Sequence, residues 1–147
     1  MSRAKLLYPP NMNSDCRDGF PWSPSNYSPI IRLFGQVEIR IDQANYQGDT
    51  WVLYKEGNDH VETGRYGYLC FGWGSCSGCD ALQACTTYEQ CDALIDHMES
   101  RIVWFDDKAS ALKWFAEHDH KGDYNWNIKE FHEFLSRTID YLSQESQ

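Results

Sequence analysis

What the sequence lacks narrows its class. No stretch approaches the ~18 apolar residues of a membrane-spanning helix. The start, Met1-Ser2-Arg3-Ala4-Lys5-Leu6-Leu7-Tyr8-Pro9-Pro10, is charged but has no apolar run long enough for a signal peptide. A cytoplasmic protein without a membrane partner is the expectation. Six cysteines in that setting read as thiols or metal ligands rather than as a disulfide framework. Positive charge is scarce, with 13 Lys/Arg against 22 Asp/Glu and a net charge of −9. The deficit is local. Residues 1–73 carry seven basic and eight acidic side chains, and residues 74–147 carry six and fourteen. Such a half repels phosphate, which argues against nucleic acid as a direct partner. It suits either a solvated face that keeps the chain soluble or a surface that meets a basic protein. G-x-S-x-G, P-loop, dinucleotide and H-E-x-x-H motifs are all absent. No catalytic residue is assigned, and a non-enzymatic protein, taken as a monomer, is the first expectation.

Proline is missing after Pro29: all five prolines lie at Pro9, Pro10, Pro21, Pro24 and Pro29. Proline fixes φ and removes an amide donor, so residues 1–29 form an irregular Pro-rich N-terminal arm without a long helix or central strand. Its Tyr8, Phe20, Trp22 and Tyr27 give it a means of packing on the rest. Aromatics are plentiful at 15%. Large rings bury much area each, so they read as a core built on aromatics, with an exposed aromatic surface as the alternative.

The remainder predicts an α+β fold in a single domain, 1–147. An antiparallel β-meander of three to four strands spans residues 30–73, and a Cys-rich turn with a mainly helical part of three to four helices spans 74–147. Ile31, Leu33, Val37, Ile39 and Ile41 alternate with polar residues, with a break near Gly35, which is the period of a half-buried strand bulged at the glycine. Gln47-Gly48-Asp49 and Glu56-Gly57-Asn58-Asp59 read as turns around a strand at Trp51–Tyr54, and Tyr66–Trp73 reads as the next strand. Asp80 stands at the N-cap of a short helix. Thr86-Thr87-Tyr88-Glu89 and Asn127-Ile128-Lys129-Glu130 fit capping boxes. The first starts a helix with Cys91, Leu94, Ile95 and Met98 on one face. Arg101–Phe105 is a short strand, and Asp106 caps a helix running to His118. The last helix repeats Ile128, Phe131, Phe134, Leu135, Ile139 and Leu142 at helical spacing.

The chemistry concentrates in Gly74-Ser75-Cys76-Ser77-Gly78-Cys79-Asp80, followed by Cys85 and Cys91. The spacing is C-x2-C-x5-C-x5-C. Two thiolates two residues apart in a glycine-rich turn can reach one tetrahedral ion about 2.3 Å from each sulfur, and nearby amides favour the thiolate that zinc requires. Cys76, Cys79, Cys85 and Cys91 are therefore the expected ligands of a zinc ion. A continuous helix from Cys79 to Cys85 would separate them by about 9 Å, so Cys85 joins only if the helix breaks. Cys70, His118 and His120 are alternative fourth ligands. A redox C-x-x-C pair and a purely structural turn with buried thiols remain open as other readings. His118-Asp119-His120 reads first as dipole complement at a helix end.

The segment from Tyr66-Gly67-Tyr68 through Gly74-Ser75-Cys76-Ser77-Gly78-Cys79-Asp80-Ala81-Leu82-Gln83 resembles a motif of small bacteriophage and mobile-element proteins, and the likeness extends loosely to the His118-Asp119 region. That resemblance implies a phage accessory protein acting in the host cytoplasm. Zinc-stabilised anti-CRISPR proteins are similar in size and acidity, which makes a host protein with a basic surface, such as a Cas nuclease, the implied partner. A thiol- or metal-dependent small enzyme using the C-x-x-C turn is the alternative.

Overall fold

The computed structural model describes residues 2–8, 27–43, 47–57, 64–74, 80–85, 87–124 and 128–144. The elements in chain order are α1 (Arg3–Leu7), α2 (Ser28–Leu33), β1 (Gln36–Gln43), β2 (Gln47–Lys55), β3 (Tyr66–Gly74), α3 (Ala81–Ala84), α4 (Tyr88–Ser100), β4 (Val103–Phe105), α5 (Lys108–Glu117) and α6 (Ile128–Ser143). The strands form one antiparallel sheet in the order β1-β2-β3-β4. The α+β class and the meander are therefore as expected. The fourth strand is recruited from within the helical half, where Val103–Phe105 pairs with Tyr66–Tyr68.

Alternation along the strands feeds two cores. Val52, Tyr54, Leu69 and Trp73 face one side, where they pack with Ala4, Tyr27, Ile30, Ile31, Leu82, Cys85, Cys91, Ile95 and Met98. Trp51, Leu53, Tyr66 and Tyr68 face the other, with Phe105, Ala111, Phe115, Phe131, Phe134 and Leu142. The sheet is thus a middle layer between the α1–α4 side and the α5–α6 side, and period-two patterning sorts its residues between them. The large apolar side chains that stay exposed among the described residues are Leu6, Leu33, Val103 and Ile128. None is aromatic, so the described aromatics pack in or against the two cores.

Several local expectations are corrected. Ile31 and Leu33 belong to helix α2, not to the first strand. Pro29 in the first turn of that helix supplies a φ already suited to it, and a five-residue apolar alternation is too short to tell strand from helix. The bulge falls between Val37 and Ile39 rather than at Gly35. Gln47-Gly48-Asp49 lies within β2, paired with Gly72–Gly74. Thr87, not Thr86, caps α4, accepting from the Gln90 N–H at 3.1 Å. Asp107, not Asp106, caps α5, accepting from the Ser110 N–H at 2.7 Å. Ile128 is exposed although Phe131, Phe134 and Leu142 are buried. The arm contains the short helix α1 and holds no long helix among its described residues; Phe20, Trp22 and Asn127 lie outside those residues.

Two glycines are required by close approach. A Cβ on Gly48 would stand 2.1 Å from the Gln43 carbonyl oxygen and 2.3 Å from Trp73 Cζ2; one on Gly67 would stand 2.7 Å from Trp104 Cζ3 and 3.1 Å from Ile102 Cγ2. In each case an indole lies over the bare backbone. Gly67→Ala should destabilise by about 1–3 kcal/mol, the usual range for overpacking. Gly48→Ala should cost more, because the backbone carbonyl it meets cannot rotate aside. Urea denaturation of both variants checks the order; equal or negligible losses would refute it.

A candidate metal centre at the cysteine turn

The turn that carries Cys76 and Cys79 leaves β3 at Gly74 and rejoins described structure at Asp80. Cys76 and Cys79 themselves lie outside the described residues. The two ends are clamped together. Asp80, 2% exposed, accepts through Oδ1 from the Gly74 N–H at 3.1 Å and from the Tyr27 hydroxyl at 2.7 Å. The Tyr27 oxygen in turn accepts from the Leu82 N–H at 3.1 Å. A carboxylate taken as a helix cap thus acts as a tie between strand, helix and arm. Burial, and then the neighbouring Asp80 charge, push the Tyr27 pKa well above the ordinary phenol value, so its proton stays available for the bond to Asp80.

Beyond the clamp α3 lasts a single turn and ends at Ala84. Cys85 follows it, with its N–H on the Leu82 carbonyl at 3.1 Å and its thiol donating to the Ala81 carbonyl at 3.3 Å. The chain then turns into α4, whose inward face carries Cys91. The helix thus reaches Cys85 unbroken, and the chain changes direction after it rather than between Cys79 and Cys85; Cys85 and Cys91 share one core. A hydrogen bond with Cys91 lowers the Cys85 pKa below the ordinary thiol value, against the opposing effects of burial and Asp80. Both are buried thiols. Thiolate sulfur is a donor type suited to a soft or borderline metal such as zinc.

The arm covers this pair. Tyr8 packs on the same core, lies close enough for Cys91 and Cys85 to add to the burial that raises its pKa, and its carbonyl accepts from the Tyr88 hydroxyl at 2.6 Å. Helix α1 is fastened to α4: the Ala4 N–H donates to Asp92 Oδ1 at 2.7 Å, and Arg3 pairs with Asp96 and Glu99.

Cys70, His118 and His120 lie away from Cys85 and Cys91. Cys70 packs with the α5–α6 core, and both histidine rings lie against Trp114 there. The sheet stands between them and the Cys85–Cys91 side. Among the described residues no three His, Cys, Asp or Glu side chains gather in a way that could hold a metal, which leaves Cys85 and Cys91 as the described half of the expected set. Cys70 is also a poor nucleophile, since burial above all pushes its thiol up to about 11 and leaves almost no thiolate at neutral pH. His120 is placed by Asp123 Oδ2 at 2.8 Å and the Phe115 carbonyl at 3.0 Å, a structural tie rather than a simple dipole complement.

Sequence reasoning missed the roles of Tyr27, Asp80 and Asp123. Only Asp80 carried a signal, as an acid beginning a helix after a glycine-rich turn. The chain was compared with protein-family models, with curated proteins and with solved structures, and it matches none of them. No described helix is long and apolar enough to cross a membrane.

Tyr27→Phe keeps the ring but takes one donor from a buried carboxylate and the acceptor from the Leu82 N–H, and should cost about 2–3 kcal/mol in chemical denaturation; a loss below half of that would sink the clamp. The bond from Ala4, above all, holds the Asp92 pKa below the ordinary carboxylate value. The docking of α1 is therefore complete above the unfolded-state pKa of ~3.9 and weakens as pH falls through the lower folded value. Amide exchange at Ala4 should lose protection as pH drops into that window, and Asp92→Asn should remove the pH dependence.

Proposed function

We propose that this chain is a zinc-stapled, non-enzymatic binding protein whose acidic half docks on a basic protein surface, in the manner of a phage-encoded inhibitor of a host defence nuclease such as a Cas effector. The observation that supports the reading is that Cys85 and Cys91 lie in one core, below a segment whose ends Asp80 and Tyr27 clamp. A clamped turn with two thiols below it suits a staple, because metal binding there adds directly to folding free energy. A catalytic thiol needs access and an orienting base, and both described thiols of the pair are buried. The docking half of the proposal draws on charge: Glu89, Asp106, Asp107, Glu117, Asp119, Glu133 and Asp140 are all exposed on the helical half, an arrangement that favours encounter with a basic groove.

Elemental analysis of purified protein should find one zinc per chain. Cys85→Ser and Cys91→Ser should each lose the metal and melt about 10 °C lower, the scale of a ~3 kcal/mol loss in a domain of this size. Titration against a Cas effector should show binding that weakens as salt rises. Metal-free protein that is indifferent to chelator and to both substitutions would overturn the staple, and salt-insensitive or absent binding would overturn the acidic face. Variants that stay folded and metal-loaded but lose a turnover would point to an enzyme instead.

A further inference from the structure

Across the sheet from the thiol pair lies a cavity of about 380 Å³, within the size range of small-molecule sites. Its lining combines three kinds of surface: Trp114 and Val103 are apolar, Asp123 is anionic, and Arg101 is cationic. Tyr68, Cys70 and His118, whose ring stacks on Trp114 at 4.1 Å, complete its lining.

Tyr68 is 3% exposed, and its hydroxyl has no hydrogen-bond partner among the described residues. Cys70 and Asp123 lie beside it and raise its pKa further, after burial. A buried hydroxyl left in this state costs free energy and calls for an explanation. The neighbouring carboxylate is built in firmly. Asp123 Oδ2 takes the His120 ring nitrogen at 2.8 Å, and the Asp123 carbonyl accepts from the Trp51 indole at 2.7 Å. Its Oδ1 meets Cys70 Sγ only at 4.0 Å, so that oxygen retains capacity for a stronger donor. Arg101 enters from the C-cap of α4, where its backbone N–H is held by the Met98 and Glu99 carbonyls, and its side chain is exposed.

We infer that this cavity binds a small zwitterion of the apolar amino-acid type. The ammonium donates to Asp123 Oδ1 and pairs with the Tyr68 oxygen, the carboxylate faces the Arg101 guanidinium, and the apolar body lies against Trp114 and Val103. A lone cation would meet Arg101, and a lone anion would meet Asp123, so opposite charges on one small molecule satisfy the lining best.

The test is calorimetric titration of the full chain with L-phenylalanine, phenethylamine and 3-phenylpropionate. L-Phenylalanine should bind about tenfold or more tighter than either singly charged analogue, a difference of ~1.4 kcal/mol. Tyr68→Phe should weaken L-phenylalanine by about tenfold without lowering the melting temperature, since the change removes an unpartnered buried hydroxyl. Arg101→Gln, at an exposed side chain, should bring L-phenylalanine down to the affinity of phenethylamine. No heat with any of the three, equal affinity for all of them, or undiminished binding by Tyr68→Phe would overturn the assignment.

Discussion

The buried Asp80 carboxylate is the constraint on which the thiol side of the structure depends. It accepts hydrogen bonds from the Gly74 N–H at the end of a strand and from the Tyr27 hydroxyl at the edge of the arm, while the Tyr27 oxygen accepts from the first turn of α3. A charge this deeply placed is tolerated only when its lone pairs are engaged. Strand end, helix start and arm therefore adopt their relative positions together. With the mouth of the turn closed, the one-turn α3 ends where Cys85 can meet Cys91.

The sheet has a second consequence for chemistry, because it separates Cys85 and Cys91 from the two loop histidines. Cys85 and Cys91 sit on the α1–α4 side, while Cys70 and the two loop histidines sit on the α5–α6 side. Each layer has its own carboxylate tie, buried Asp80 in one and the half-buried Asp123–His120 pair in the other. An aromatic residue joins each: Tyr27 donates to the Asp80 carboxylate, and the Trp51 indole donates to the Asp123 backbone carbonyl. The abundance of rings thus serves hydrogen bonding as well as apolar burial.

Much of this fold was legible because its signals are long and periodic. The strands at Trp51–Tyr54 and Tyr66–Trp73 and the buried face of α4 follow directly from spacing. The failures have local causes. Ile31 and Leu33 mimic a strand because a six-residue helix offers too few turns to display its own period. Gly48 looks like a turn residue, yet it is a strand residue whose missing side chain makes room for Trp73. The caps slip by one residue at Thr87 and Asp107 because adjacent candidates compete for the same amide. Cys91 on the buried face of α4 was legible from helical spacing, and Cys85 shares its core. The clamp was not, since Tyr27 and Asp80 are 53 residues apart and no local pattern connects them.

The bulge between Val37 and Ile39 carries an implication for how such a chain can drift. On its amino-terminal side Val37 packs with the α1–α4 core; on its carboxy-terminal side Ile39 and Ile41 pack with the α5–α6 core. The extra residue acts as a phase change between two reading frames of the same strand. Point substitutions at Glu38 leave that phase intact, whereas an insertion or deletion there would trade the interior and exterior of half the strand. Descendants of this sequence should therefore tolerate varied chemistry at position 38 while keeping its residue count fixed.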